Sequence, residues 1–403
     1  MAPAIHKTRQ LTLDILSAGL LARDGIPLDI EFRTGTAAAI GLPSWMSRPV
    51  DDSRRDLVMN EGYSQSSRSM IDIAREALRI SGRRVPLDQD LMLRAAMSTS
   101  ELLSIFTTNV NAGVLSGYED SVDSTEGWCS ESDIANFKTA DRIATTKFGR
   151  LKRHARGGTA EHLDTSDEIE SYKIGRYSGQ FVVDEMDLID DRFGAIEELS
   201  PFDLGAAARQ LRPDIVYGIL LENANMRDGN ALFVAAHSNL QTGAIGAANL
   251  QTVLVAMAKH RINGRPINVK GAYLVTPQDI KFDAAVLLRS ASRDEDSTDG
   301  NYNPLKNEGL TLRSDDRIGV AGVTDPRDDT VRVGTATNYF VIAQPGASGA
   351  RTIEVGYRRG TGRVPTVRSS VLTQGQWGMA FDVNLDIGGK ALDWRGMQKS
   401  TGA

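Results

Sequence analysis

Apolar residues recur every three or four positions in two stretches near the start of the chain. The stretch SMIDIAREALRISGRR predicts a helix that begins near Ser69 and stops near Gly82. The stretch STSELLSIFTTNVNAGVLSGY predicts a second helix, which Ser98 or Ser100 can cap. Residues 1–66 show little periodicity outside RQLTLDILSAGLLA and contain many turn signals. We therefore expect residues 1–66 to form an extended arm that needs a partner surface.

Residues 133–185 have the pattern of a long β-hairpin. Two β-rich segments, NFKTADRIATTKF and ESYKIGRYSGQFVVDEM, flank a tip at Gly157 and Gly158. A two-stranded ribbon has too little apolar surface to be stable alone, so we expect it to lie on another surface. The outgoing side is basic and contains Lys147, Arg150, Lys152, Arg153 and Arg156. The return begins with acidic residues, which are Glu161, Asp164, Asp167, Glu168 and Glu170.

The remaining chain alternates helical and strand patterns. The stretch LSPFDLGAAARQLRPDIVYGILLENANM predicts a long helix that begins at Pro201 and that Pro213 should kink or split. A strand ALFVAAH, a helix AANLQTVLVAMAKHR, a strand VKGAYLVTP and a helix QDIKFDAAVLLRS follow. Short strands from RIGVAG to WGMAFDVNLDIGGKALDW close the chain. These elements predict an α+β protein without tandem repeats.

Composition narrows the functional classes. The chain has 403 residues and a formal net charge of −6, with 41% hydrophobic and 24% charged residues. No apolar run is long enough for a transmembrane helix, and we expect no membrane partner. With one cysteine, Cys129, the chain has no intramolecular disulfide, which favours a reducing cytoplasm. The acidic balance argues against a protein whose main task is to coat DNA.

No catalytic, metal or cofactor motif is recognisable, so the sequence does not predict an enzyme. The phosphate loop, the GxSxG elbow, HExxH and CxxC are all missing from the sequence. His237 and Ser238 are neighbours, but a turn hydrogen bond explains that pair better than a catalytic triad. The acidic loop at Asp294, Asp296 and Asp299 departs from a calcium loop, because Asp299 stands where glycine is needed. We expect no cofactor and no metal.

The order of arm, charged hairpin, long helix, α/β segment and β-rich return resembles the major capsid protein of tailed bacteriophages, which has the Hong Kong 97 phage fold. Within that family the chain looks like the shell part of the Mu-like head subunits, whose members are often fused to a prohead protease. The stretches that carry the resemblance are ALFVAAHSNLQTGAIGAANL, YLVTPQDIKFDAAVLL and FDVNLDIGGKALDWRGMQKSTG. The last of these is similar to the family's ending, with its D-[WH]-R-G turn.

The resemblance implies an α+β Hong Kong 97 phage capsid fold and a domain order. The expected parts are an N-terminal arm (1–66), a helical N-terminal region (67–132), an extended β-hairpin loop (133–185), a peripheral domain with a long spine helix (186–239), an axial domain (240–345) and C-terminal strands that return to the peripheral domain (346–403). Because no protease-like domain precedes the shell region, we expect scaffold and protease to be separate chains or already removed.

The same resemblance implies a structural function. The chain is expected to self-assemble into pentamers and hexamers of an icosahedral phage head that encloses double-stranded DNA, after assembly in the bacterial host cytoplasm. Expected partners are further copies of the chain, scaffold, portal and cement or decoration proteins, with only weak contact to packaged DNA. An encapsulin-type nanocompartment shell has the same fold and stays open as an alternative. A nucleic-acid-binding protein that uses the basic run is a second alternative.

On this interpretation the basic run of the hairpin forms a contact between subunits. Arginine can pair with carboxylates across an interface, and each exposed pair contributes only about 0.2 to 1 kcal/mol. A hairpin lysine (Lys147, Lys152 or Lys173) could also join a neighbour's asparagine covalently, although an unlinked surface role is the simpler interpretation. The candidate acidic partners of the basic run are Asp184, Glu185, Asp187, Asp190 and Asp191.

Overall fold

The computed structural model describes most of the chain. The described residues are 2–23, 26, 28, 42–46, 52–66, 68, 70–145, 153, 167–184, 201–290, 303–372 and 378–402. Their α-helices are α1 (Ala2–Arg23), α2 (Asp52–Gln65), α3 (Met70–Ile80), α4 (Gln89–Met97), α5 (Ser100–Asp120), α6 (Pro201–Glu222), α7 (Ala247–Ala258) and α8 (Lys281–Arg289). The predicted α+β class is confirmed.

The strands of the described residues are mostly short. They are β1 (Ser130–Ile134), β2 (Ala140–Thr145), β3 (Asp167–Tyr172), β4 (Gly175–Asp184), β5 (Leu240–Gln241), β6 (Arg261–Ile262), β7 (Arg265–Pro266), β8 (Gly271–Thr276), β9 (Thr311–Ser314), β10 (Val323–Asp325), β11 (Thr330–Arg332), β12 (Tyr339–Ala343), β13 (Ile353–Arg358), β14 (Thr366–Val371), β15 (Gly378–Ala391) and β16 (Met397–Ser400). Single-turn 3-10 helices connect several of them.

The chain divides into two compact units. The first unit contains Met1–Val122, Arg176–Gln210 and Arg358–Asp386. The second unit contains Asp123–Gly175, Leu211–Tyr357 and Ile387–Ala403. Helix α6 and strand β15 each contribute residues to both units, so neither unit is a continuous segment of the chain.

The core of the first unit is formed by helices and by one face of a small sheet. Apolar side chains of α1, α3, α4 and α5 pack together with Val183 of β4 and with Phe381 of β15. Strand β14 pairs antiparallel with β15, and β4 pairs with β15 as well. The rings of Phe181 and Phe381 stack with their centroids 5.0 Å apart. The predicted helical stripes of α3 and α5 therefore face this core.

Helices α5 and α6 approach closely because glycine lines their contact in the first unit. A Cβ atom on Gly117 would overlap the carbonyl oxygen of Phe202, and one on Gly205 would overlap that of Val114. Only glycine leaves the space that these two backbones occupy.

The second unit is built on a five-stranded sheet in the order β5-β16-β12-β8-β9. Strands β8 and β9 are parallel, whereas β12 runs antiparallel to both β8 and β16. Apolar residues of α7 and α8, among them Leu250, Val253 and Ala284, pack with Leu274 and Val341 of the sheet. The same unit contains a second set of paired strands, in which β13 pairs with β1 on one side and with the end of β15 on the other.

The amino-terminal region differs in conformation from the expected extended arm. Its described residues include helices α1 and α2, and Leu16 and Leu20 belong to the core of the first unit. Arg9 of α1 also forms an ion pair with Glu101 of α5. Outside RQLTLDILSAGLLA the sequence of these helices has no regular apolar stripe, and packing stabilises them instead: α1 contacts both α5 and α2.

Several local predictions were also wrong. Thr99, not Ser98 or Ser100, caps α5, and its side chain accepts a hydrogen bond from the N–H of Leu102. The stretch ALFVAAH forms an isolated bridge and a 3-10 turn in place of a strand, and RIGVAG contains a 3-10 turn at Asp316–Ile318. Helix α6 is not split at Pro213, because burial of apolar residues in its second half outweighs the lost backbone hydrogen bond.

Candidate assembly site at the hairpin root

Most of the predicted contact residues lie outside the described part of the chain. Arg153 is described and exposed, and Asp184 is the last residue of β4. The residues that the structure does not describe are Lys147, Arg150, Lys152, Arg156, Glu185, Asp187, Asp190 and Asp191. The pairing of the basic run with the acidic set therefore stays a prediction. The backbone of the two strands that flank the basic run in the sequence, β2 and β3, is described. We call these two strands the root of the hairpin.

Strands β2 and β3 form the hairpin root. They pair antiparallel in a register that runs from Ala140 opposite Tyr172 to Thr145 opposite Asp167. Because side chains alternate between faces, Arg142 and its register partner Glu170 lie on the same face as Tyr172. On the opposite face, Asp141, Ile143 and Ser171 are exposed, and Ile169 is half-buried. One face of the root is thus held by the second unit and the other is exposed.

The first anchor of the root centres on Glu354 of β13. Arg142 forms an ion pair with Glu354, and its guanidinium lies 5.8 Å from the centre of the Tyr172 ring. The Tyr172 hydroxyl donates to Glu354 Oε1 at 2.7 Å, and the Ser132 hydroxyl donates to the same oxygen at 2.8 Å. Burial, with the neighbouring Glu354 carboxylate, raises the pKa of Tyr172 to about 12. The phenol therefore remains a donor at physiological pH.

The second anchor is the buried carboxylate of Glu170. Lys390 Nζ lies 2.7 Å from Glu170 Oε2, and the backbone N–H of Arg227 donates to Oε1 at 2.8 Å. The Arg227 side chain also donates to the carbonyl of Ile169 at 3.3 Å. Both carboxylate oxygens are satisfied, which is the condition under which a buried charge is tolerated. The sequence showed Glu170 only as part of the acidic start of the return, and its burial is apparent only in the structure.

The D-W-R-G turn lies beside this anchor in the second unit. Asp393 accepts a hydrogen bond from the N–H of Arg395 at 2.9 Å and so caps a 3-10 turn that begins at Trp394. The Trp394 ring stacks on His237 with centroids 4.4 Å apart, and His260 meets it edge-on at 5.1 Å. The turn also lines a cavity of about 290 Å³ together with Glu170. The motif therefore has a packing role next to the hairpin root.

His237 has no free ring nitrogen for Ser238. Its Nε2 lies 2.5 Å from Asp228 Oδ2, and its Nδ1 lies 3.2 Å from the carbonyl oxygen of Leu232. Both ring nitrogens of His237 are therefore engaged by groups other than the Ser238 hydroxyl, and the two residues do not form the start of a catalytic triad. Among the residues that the structure describes, no cluster of three or more His, Cys, Asp or Glu side chains could hold a metal ion. No helix in that part of the chain is long and apolar enough to cross a membrane.

Residues 167–400, which include the root strand β3 and the D-W-R-G turn, match the family described as phage capsid protein. The chain belongs to the phage capsid protein family. A member of this family is a structural subunit of the virion head, and the prediction of a capsid shell protein is confirmed. The finer likeness to the Mu-like subgroup stays a prediction.

Solved capsid structures resemble this capsid protein at low sequence identity. The mature capsid of bacteriophage PhiM1 is 11% identical, with a TM-score of 0.46, 70% of this chain covered and 86% of that chain. The capsid of cyanophage P-SCSP1u is 9% identical, with a TM-score of 0.42 and coverage of 68% and 86%. The virus-like particle from Pyrococcus furiosus is 10% identical, with a TM-score of 0.41 and coverage of 72% and 97%. No curated protein matches the chain significantly.

Buried ion pairs hold the second half of α6 in this capsid protein. Arg212 is buried and lies 3.2 Å from Asp123 and 2.6 Å from Glu131. Cys129 is a free thiol that is also buried, and this burial raises the pKa of the thiol well above its usual value. A buried thiol in this state is a poor nucleophile, so Cys129 has a packing role.

A second buried carboxylate, Asp325, lies against the same helix. It pairs with Arg327 at 2.5 Å and with Arg332 at 2.8 Å, and Arg327 also pairs with Glu222 at the end of α6. A Cβ atom on Gly218 would overlap the Asp325 carboxylate. The glycine therefore admits a charge cluster that joins the helix to the β10–β11 turn. No local pattern in the sequence indicates this long-range pairing.

Proposed function

We propose that this chain is the major head protein of a tailed bacteriophage and that its copies form the pentamers and hexamers of an icosahedral shell around double-stranded DNA. The family match supports the shell function. The observation that carries the assembly mode is the hairpin root, which is anchored on one face while Ile143 keeps 53% of its surface exposed on the other. A ribbon held in this way has a face that a neighbouring subunit can cover.

The proposed parts follow the predicted domain order. The segment 133–185 contains the extended loop that overlies a neighbour, and β2 and β3 form its root, whereas β4 pairs with β15 within the subunit. Helix α6 is the spine helix of the peripheral domain. Residues 240–345, which contain α7, α8 and most of the five-stranded sheet, are the axial domain around the fivefold and sixfold axes. The C-terminal strands return to the peripheral domain. The charge clusters of Arg212 and Asp325 support a rigid spine helix, which keeps the subunit's shape during assembly.

The hairpin's basic run is proposed to pair with the acidic set of a neighbouring subunit. Each exposed ion pair is weak, about 0.2 to 1 kcal/mol, and therefore reversible. A closed shell repeats the contact many times, so the weak contributions accumulate. The anchors at Glu170 and Glu354 support this proposal, because they fix the strands from which the run projects.

Scaffold, portal and decoration proteins complete the proposed set of partners. The proposed place of assembly is the host cytoplasm, and the shell makes only weak contact with the packaged DNA.

The expressed chain should be examined by size-exclusion chromatography with light scattering and by negative-stain microscopy, with and without the neighbouring phage genes. Rings or hollow polyhedra are the expected result. A compact monomer at every concentration would contradict the proposal. Tight, salt-steep DNA binding by the isolated chain would favour the nucleic-acid-binding alternative.

A further inference from the structure

Phe282, at the start of α8, is unusually exposed for an aromatic residue. It keeps 78% of its surface exposed, and Val286, one helical turn later, keeps 56% exposed. Residues four apart lie on the same face of a helix, so the two side chains form one apolar stripe. An exposed stripe that contains an aromatic residue is typical of a surface that another molecule covers.

The second unit also contains an apolar cavity that Phe282 does not line. Its volume is about 320 Å³, which is large enough for one aromatic side chain. Leu254, Val255 and Ala258 of α7 form one wall. Lys270 and Glu308 also line the cavity. We refer to this feature as the α7 cavity.

Charged residues flank both the stripe and the cavity. Lys281 and Asp283 stand on either side of Phe282 in the sequence, and both are exposed. At the α7 cavity, Lys270 Nζ lies 3.5 Å from Glu308 Oε2 at the surface. When Phe282 enters this cavity, Lys281 and Asp283 come with it. The cavity carries Glu308 and Lys270, so each charge can meet an opposite charge. Such complementarity selects an orientation more than it adds affinity.

We propose that Phe282 of one subunit inserts into the α7 cavity of a second copy, with Lys281 facing Glu308 and Asp283 facing Lys270. The second copy is the occupant because each chain carries both the aromatic side chain and a cavity with matching rim charges. Donor and acceptor surfaces at different places on one chain give a head-to-tail contact, the kind of contact that forms a ring when the rotation between copies closes. This inference rests on the proposed assembly function and adds the residues that join neighbours.

Cysteine pairing tests the contact directly. Two variants, Phe282→Cys and Ala258→Cys, are purified separately, mixed under assembly conditions and oxidised mildly. We expect a disulfide-linked dimer on a non-reducing gel from the mixture and none from either variant alone. The native Cys129 is buried and serves as an internal background. Phe282→Cys mixed with Val331→Cys, an exposed position away from the α7 cavity, is the matched control.

Assembly of single variants gives an independent measurement. Phe282→Asp and Ala258→Trp, which fills the cavity, should each lower the yield of rings or shells about tenfold or more. Both positions are exposed, so circular dichroism should show unchanged folding, and Phe282→Leu should retain most assembly. Two results together would overturn the Phe282 contact: normal assembly of both variants, and no dimer in the cysteine mixture. The proposed shell function would not be affected by them. A dimer from Phe282→Cys alone would overturn the head-to-tail arrangement. Failure of the unmodified chain to assemble would count against the proposed function itself.

Discussion

Glu170 of β3 and Lys390 of β15 form an ion pair across the hairpin root, with 2.7 Å between Oε2 and Nζ. The carboxylate is buried and also accepts a backbone hydrogen bond from Arg227. This pair joins the hairpin to the strand that precedes the D-W-R-G turn. The buried carboxylate of Glu170 therefore connects the charged hairpin with the D-W-R-G ending.

Replacing Glu170 by alanine should loosen the hairpin root. The substitution removes the acceptor of the Arg227 N–H and leaves Lys390 with the carbonyl of Ser171, so we expect a loss of about 2 kcal/mol in the free energy of unfolding. Urea denaturation and the rate of limited proteolysis at the hairpin measure the change. Asp141→Ala, on the exposed face of the same root, is the control and should change stability by less than about 0.5 kcal/mol. Equal effects of the two variants would argue against the anchor.

Reversing Arg150, Lys152 and Arg153 to glutamate should leave the subunit folded and block or misdirect shell closure. Like charges would then face the proposed acidic partner of a neighbour. Assembly of the unmodified chain should also weaken as salt rises, because exposed pairs are screened over about 8 to 10 Å. Light scattering and negative-stain microscopy provide the readout.

The neutral triple variant with glutamine at the same three positions is the control for charge reversal. It should assemble with an intermediate yield, since it removes attraction without adding repulsion. Asp187→Arg in the acidic set should restore part of the assembly of the reversed chain if the pairing is correct. Normal shells that fail only to package DNA would instead show that the basic run faces the genome.

Gly205→Ala should destabilise the first unit strongly. The added methyl group has no space beside the carbonyl of Val114, so helices α5 and α6 must separate. Overpacking of this kind costs about 1 to 3 kcal/mol, which thermal unfolding can measure. Gly179→Ala is the matched control, because nothing lies within 4 Å of its added Cβ. A similar melting temperature for both variants would contradict the close approach of the helices.

Removal of residues 1–40 should destabilise the first unit as well as impair assembly. The sequence alone predicted an extended arm that needs a partner surface, but Leu16 and Leu20 belong to the core of the subunit itself. Leu20→Ala should cost about 2 to 5 kcal/mol in the free energy of unfolding, whereas Leu57→Ala, which is 45% exposed, should cost much less. A truncated chain with the melting temperature of the full chain would contradict this prediction.

The pair of Arg176 and Asp386 should make the first unit sensitive to acid. Arg176 donates to the two carboxylate oxygens at 2.7 and 2.9 Å. Burial by itself raises the pKa of Asp386, but the bonds from Arg176 and Arg358 outweigh it and lower that pKa below its usual value. The pair's stabilisation is therefore present above about pH 4 and is lost as the pH falls further.

Asp386→Asn should flatten the acid side of the stability profile. Thermal unfolding between about pH 2 and pH 6 measures the slope for the unmodified chain and for the variant. Arg176→Gln should reduce the slope as well, since it removes the main group that lowers the pKa of Asp386. An unchanged slope in Asp386→Asn would show that other carboxylates govern the acid response.

The sequence by itself determined the elements whose pattern is local. Helices α3 and α5 have apolar stripes at helical spacing, and the hairpin strands have β-rich composition around a glycine tip. The order of these elements and the D-W-R-G ending were sufficient to predict a phage capsid protein, and the family match confirms it. Patterns of this kind depend on neighbours within a few residues, which the sequence displays directly.

Only the tertiary structure decided the features that depend on distant residues. It buried Glu170 between Lys390 and the backbone of Arg227, although the sequence places that carboxylate in an acidic run. It made α1 helical through contacts with α5, and it carried α6 through Pro213 by burying the apolar residues beyond it. In each case the free energy comes from partners far away in the chain. A buried charge or an irregular helix is stable only when those partners are in place, and no local pattern records where they are.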